Sequence, residues 1–269
     1  MKVAVVGHVE WCHFVQVDRA PEGGEIVRSN KSWHEVGGGG GVASVQLAQL
    51  AGNCVLFTAV GNDEIGEKVL AQLKERGVEV YASKVEGTPT KEAIVDIEAD
   101  KERAITVVGN LRPSGSDKSL PWEKLAEMDA VYFVSGDAAA LKAARKAKKL
   151  VATARVLPVL KEAGVPLDGL VMSRKDEGEL YASGDLDPSP KLVVKTGGTE
   201  GGFTETGETY AAEQLEPGEL KDLYGCGDSF AAGLTYALAE DKSVDEALKV
   251  AAHCGAEAAR REGAFGSGE

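Results

Sequence analysis

No stretch of this chain approaches the ~18 consecutive apolar residues that a membrane-spanning helix needs, so no integral membrane segment is expected. Cysteine is scarce. The four residues Cys12, Cys54, Cys226 and Cys254 include no C-x-x-C pair, which argues against a zinc site and for a reduced, cytoplasmic setting. Positive charge is in deficit, with 30 Lys and Arg against 43 Asp and Glu and a net charge of −13. Nucleic-acid binding usually needs a basic face, so no nucleic-acid partner is expected. Acidity does not exclude anionic nucleotides, because Mg²⁺ and local backbone N–H groups decide that contact. Aromatic residues are sparse at 6%, but the apolar fraction of 43% is ordinary. Nothing points to disorder, and 269 residues are enough for a full hydrophobic core. The length fits one large α/β domain, or one domain with a small appendage. The start, Met1-Lys2-Val3-Ala4-Val5-Val6-Gly7, reads as a buried first strand rather than a signal peptide. Also missing is a G-x-G-x-x-G turn directly after that strand, which a dinucleotide-binding fold would require.

What the chain does have is glycine, gathered ahead of helices. Asp222-Leu223-Tyr224-Gly225-Cys226-Gly227-Asp228 runs into a segment where Phe230, Leu234, Ala237 and Leu238 recur at helical spacing. Glycine lets a backbone approach a ligand closely. A helix start presents free N–H groups and the positive end of the dipole, and the two together make an anion pocket. A carboxylate beside such a pocket suits phosphoryl transfer, with the amides holding the moving group and Asp228 taking the proton of the attacking hydroxyl. Asp228 as a plain helix N-cap is the competing reading. Five further glycines, residues 37–41, precede a second helix whose apolar content is Val45, Leu47, Ala48 and Leu50.

The remaining pattern is coarse but regular. A second strand is expected over 53–60, then a helix over 64–76 that turns Val69, Leu70 and Leu73 inward, with Asp63 as its cap. From residue 129 the chain reads βαβ, with strands at 130–134, 150–153, 169–172 and 191–195 and a helix at 137–148. Asp137 reads as the cap of that helix, with a place in the cleft as the alternative. Segments 12–34 and 90–108 read as short strands that leave the main body, the second as a hairpin turning at residues 98–102. The last helices are expected over 230–240 and 244–260, with a frayed tail from Gly263.

The segment from Asp222 to Asp228 resembles the D-T-x-G-A-G-D signature of the ribokinase/PfkB family of carbohydrate kinases, with Leu223 and Cys226 departing from it. Gly61-Asn62-Asp63-Glu64-Ile65-Gly66 is similar to that family's G-x-D-x-x-G turn, and the run starting at Thr196 to its T-x-G-x-x-G loop. The landmarks fall in the family's order along nearly the whole chain. The resemblance implies a three-layer α/β/α fold over residues 1–269, with a mostly parallel central sheet and a small β-sheet lid made by segments 12–34 and 90–108. It implies Asp228 as catalytic base and the amides of Gly225, Cys226 and Gly227 as the anion hole. It implies a substrate site at Glu10, Gly38, Gly39 and Gly41, where Gly41 stands at the position of a family Asn. A nucleotide is implied over Thr196, Gly198, Gly201 and Ala256. Asp176 is the expected contact to Mg²⁺, in a Ser173-Arg174-Lys175-Asp176 stretch that replaces the family's N-x-x-E. Glu10 as a solvated loop charge, and the Thr196 loop as a hairpin turn, remain alternatives. The implied activity is ATP-dependent phosphorylation of a hydroxyl on a sugar or sugar-like molecule. A nucleoside kinase of the same fold is a second reading. A non-catalytic ligand-binding protein is a third, motivated by the departures at Gly41, Ser173, Asp176 and Leu223. Exposed lid edges make a homodimer through the lid an expectation.

Overall fold

The computed structural model describes residues 1–266. In chain order the strands are β1 (Val3–Val6), β2 (Glu10–Gln16), β3 (Lys31–Gly37), β4 (Cys54–Gly61), β5 (Val78–Val85), β6 (Glu92–Ile97), β7 (Arg103–Val108), β8 (Ala130–Phe133), β9 (Lys149–Thr153), β10 (Gly169–Ser173), β11 (Val193–Thr196), β12 (Gly202–Thr204) and β13 (Thr209–Tyr210). The α-helices are α1 (Gly38–Ala51), α2 (Glu64–Glu75), α3 (Ala138–Ala144), α4 (Leu157–Ala163), α5 (Cys226–Ala239) and α6 (Val244–Ala259).

Nine strands make one sheet in the order β13-β12-β11-β10-β9-β8-β1-β4-β5. It is parallel from β11 to β5, and β12 and β13 add an antiparallel edge. Its central strands β1 and β8 are buried at every position because both faces are covered. Successive residues of β1 show this. Val3 and Val5 face the layer built by α1, α2, α5 and α6, through Leu47, Leu73, Leu234 and Leu248. Ala4 and Val6 face the other layer, through Leu125, Leu141 and Leu160. The period of two along a strand thus assigns each residue to one of two cores.

The second sheet has the order β3-β2-β6-β7 and stands apart from the first. β2 leaves β1 after only three residues, and pairs antiparallel with β3 and parallel with β6. The hairpin expected over 90–108 is β6 and β7. The lid is anchored by Cys12, Phe14, Val95 and Ile97, which pack with Val42 and Tyr224 of the body.

Local signals place the helices. Asp63 caps α2 by accepting from Gly66 N at 2.7 Å, and Asp137 caps α3 by accepting from Ala140 N at 2.8 Å. Three sequence expectations are corrected. The helix expected to reach residue 148 ends at Ala144, because Arg145 turns back to the carbonyls of Ala147, Lys148 and Pro166. Ile26 and Val27 form no strand. Their segment is a loop tied by the Arg19–Glu25 ion pair, and Ile26 is 93% exposed. Residues 263–266 are not frayed: Gly263 N donates to Asp222 at 2.6 Å, Ala264 N donates to Glu35 at 2.8 Å, and Phe265 lies under the Arg76 guanidinium. The rest of the expected tail, 267–269, lies outside the described residues.

Candidate active site

The head of α5 is built by Gly225, which takes φ +73° and so redirects the chain into the helix. No side chain caps this helix. Ser229 N is the first amide to find a carbonyl of the turn, that of Gly225 at 2.9 Å. The amides of Cys226, Gly227 and Asp228 therefore stand at the positive end of the dipole with no partner in the helix ladder. Asp228 is the third residue of the helix, and its carboxylate is not the cap. Asp222 serves the turn from behind, accepting from Tyr224 N at 2.7 Å and Gly263 N at 2.6 Å.

Asp228 is half-buried. Burial pushes its pKa up to about 6; the nearby Arg155 and Arg103 pull it down, and the Glu179 and Glu10 carboxylates push it up. Such a group is largely ionised at neutral pH yet still a competent proton acceptor. Gly39 borders it closely. A Cβ there would lie 2.8 Å from Asp228 Oδ1 and 2.7 Å from Val134 Cγ1. The glycine run exists because α1 starts against other backbone. A Cβ on Gly40 would come within 2.6 Å of the His8 carbonyl, and one on Gly38 would lie 3.0 Å from Glu10 N.

On the lid side of Asp228, Glu10 is buried as the first residue of β2 and accepts from Lys91 Nζ at 2.8 Å. His8 Nε2 lies 3.5 Å from the same carboxylate, and its Nδ1 is 3.1 Å from Ser135 Oγ. Burial, then the charges of Lys91 and Arg155, push the His8 pKa down to about 3, so it stays neutral. Gly38 N donates to the Tyr224 hydroxyl at 2.8 Å, and the Cys12 thiol lies 3.3 Å from that hydroxyl. Gly41 stands apart from this group. Its missing Cβ points at Val36, Val9 and Leu73, in the core.

On the other side of Asp228 a pocket of about 430 Å³ opens between the β11–β12 loop and the helices α5 and α6. Thr196, Gly198, Ala256, Gly255, Leu223 and Phe230 line it together with Cys226 and Gly227 of the turn. Both readings of the Thr196 loop hold in geometry. It is a hairpin closed by Gly197 N to Gly201 O at 2.7 Å, and it walls the pocket. Gly201 itself sits behind the wall at φ +73°, where a Cβ would meet the Tyr210 carbonyl at 2.2 Å. Burial raises the Cys226 thiol to about 12, so it offers the site a neutral side chain and its backbone amide.

Asp176 lies at the cleft but is engaged, accepting from Gly178 N at 2.8 Å and pairing with Arg155 at 2.6 Å. The same guanidinium pairs with Glu179 at 2.7 Å, and Glu179 also accepts from Ser173 N at 2.7 Å. Arg155, Glu179, Lys91 and Arg103 are charged groups around the site that motif reading did not find. None lies in a glycine turn. They reach the cleft only when β9, β10, β6 and β7 are aligned.

The chain matches the description "pfkB family carbohydrate kinase" over residues 1–168 and 172–267. It is 28% identical to an ATP-dependent ribose-1-phosphate kinase of Halopiger xanaduensis, covering 98% of this chain and 94% of that protein. The fold is similar to the adenosine kinase of Sinorhizobium meliloti (TM-score 0.81, 19% identity, 98% of this chain and 95% of that one). It is also similar to Arabidopsis thaliana ribokinase complexed with ribose and ATP (TM-score 0.73, 20% identity, 97% and 93%). The chain belongs to the pfkB family of carbohydrate kinases.

Proposed function

We propose that this chain, folding as one unit with its lid, transfers the γ-phosphoryl group of ATP to a hydroxyl of a small sugar or sugar phosphate. The observation that carries the reading is the head of α5, where free amides and a carboxylate raised to about 6 stand between two different subsites. The apolar pocket beside Thr196, Gly198 and Ala256 receives the adenine nucleotide. Glu10, held by Lys91, and the backbone at Gly38 and Gly39 receive the acceptor under the lid. Asp228 takes the proton of the acceptor hydroxyl, whose oxygen forms the new bond to the γ-phosphorus as the bond to ADP breaks. The amides of residues 226–228 hold the charge of the moving group.

Mg²⁺ belongs with this reading. Asp176 and Glu179 offer the hard oxygens it prefers, and because Mg²⁺ keeps several waters, carboxylates already held by Arg155 suit it as outer partners. The ion would neutralise phosphate charge. The acceptor class is supported by the relative that acts on ribose-1-phosphate, and the nucleoside alternative by the adenosine kinase neighbour. The lid also supports a homodimer, since β7 is an edge strand and Ile94 and Val108 are 44% and 53% exposed beside it. A monomer by light scattering would refute that assembly.

The test is ADP release from Mg-ATP with a panel of pentoses, pentose phosphates, sugar alcohols and nucleosides. A hit names the acceptor, and Asp228→Asn should then lower turnover by roughly 10²–10⁴ while nucleotide binding persists. Full activity in that variant would remove Asp228 as the base.

A further inference from the structure

Arg103 opens β7 opposite Ile97, which pairs in turn with Gln16 of β2. Strand alternation puts Arg103, Ile105 and Val107 on the lid face that carries Phe14, Val95 and Ile97, the face turned to the body. There Ile105 and Val107 are 44% and 47% exposed, so β7 overhangs the cleft instead of packing on the core. The row that starts at Arg103 leads across the lid to the catalytic turn. Gln16 Nε2 donates to Glu262, and the next residue, Gly263, donates to Asp222. The Arg103 side chain makes no hydrogen bond or ion pair among the described residues. Its charge is nonetheless felt at Asp228, Asp222 and Cys226 around the head of α5, and at Asp176 after β10. The strand register and this shared influence put the guanidinium on the body-facing side of the lid, near the head of α5.

We propose that Arg103 is a lid-borne contact to the terminal phosphate of ATP, engaging the phosphoryl group that the amides of residues 226–228 hold. The inference rests on the kinase reading above. A planar guanidinium with five donors matches a phosphate bidentately. Pairing with none of the carboxylates in its neighbourhood leaves those donors for an anion. Because the residue comes from the lid, the contact also links phosphate binding to covering of the site.

The test is calorimetric titration of wild type, Arg103→Met and Arg103→Lys with a non-hydrolysable ATP analogue and with ADP, each with Mg²⁺ and without acceptor. Arg103 is exposed, so both variants should fold. Arg103→Met is expected to weaken the ATP analogue by about ten- to a hundredfold, the range for a charged hydrogen bond, and to leave ADP affinity unchanged. Arg103→Lys is expected to recover part of the loss. Three outcomes would overturn the contact: unchanged affinity for both nucleotides, equal weakening of both, or a change confined to the KM of the acceptor. A wild-type protein that binds neither nucleotide would sink the kinase reading and the contact with it; wild-type binding with no response in the variants would sink the contact alone.

Discussion

Replacing Gly39 by Ala adds one methyl group between the start of α1 and the Asp228 carboxylate, the proposed base. The new Cβ would stand 2.8 Å from Asp228 Oδ1 and 2.7 Å from Val134 Cγ1, about 0.6 Å or more short of the 3.4 Å where ordinary contact begins. Gly39 does not occupy the left-handed region, so the cost comes from these contacts alone. Val134 is buried, and its backbone N–H is tied to the Val6 carbonyl at 2.8 Å. The Asp228 side chain is therefore the more mobile of the two neighbours. Overpacking of this kind costs about 1–3 kcal/mol, offset in part by the roughly 0.5–1 kcal/mol that Ala gains over Gly in a helix. Misplacing a reacting group by ~1 Å can cost on the order of 10²-fold, so turnover should fall roughly ten- to a hundredfold. Gly41→Ala is the internal control. It lies two residues further along the same helix, with 3.8 Å or more to every neighbour, and should keep activity while gaining about 0.5–1 kcal/mol. Initial rates and urea midpoints on both variants decide the matter. Wild-type turnover in Gly39→Ala would refute the close packing, and loss of turnover in Gly41→Ala would put that position against the substrate after all.

Turnover should rise with pH through about 6, because Asp228, as the proposed base, works only when ionised and burial sets its folded pKa near that value; a profile flat from pH 5 to 8 would contradict the role. Arg155→Met should shift that limb to higher pH, since it removes a cation that holds Asp228 down while leaving Glu179, which pushes it up; the same rate assay reads the displacement. Tyr224→Phe leaves the buried Gly38 N–H without the hydroxyl that accepts it at 2.8 Å. It should lower stability by about 1–3 kcal/mol, measured as a fall in the urea midpoint at unchanged slope.

The turn at the head of α5 was legible in the sequence because its parts are local. Gly225, the free amides and Asp228 lie within four consecutive positions. The caps Asp63 and Asp137 were legible for the same reason, each bonding an amide three residues on. The strand pattern was readable wherever both faces are buried, as in β1 and β8. What the sequence could not reveal are groups joined across long separations. Lys91 meets Glu10, Arg155 meets Glu179, and the Tyr224 hydroxyl meets Gly38 186 residues away. Gly41 shows a further limit. Five identical glycines carry no directional information, and only the helix phase reveals that this one turns to the core.

The bond from Gly263 to Asp222, and that from Ala264 to Glu35 at the lid root, bear on when the protein becomes active during synthesis. Every residue placed in the proposed site has been made by residue 256. The carboxylate that shapes the turn nevertheless lacks one of its two backbone donors until position 263 has left the ribosome. A nascent chain thus holds a nearly finished site whose last tie, from Gly263 to Asp222, forms only after α6 has been made, so the turn at the head of α5 is completed later than the residues that line it.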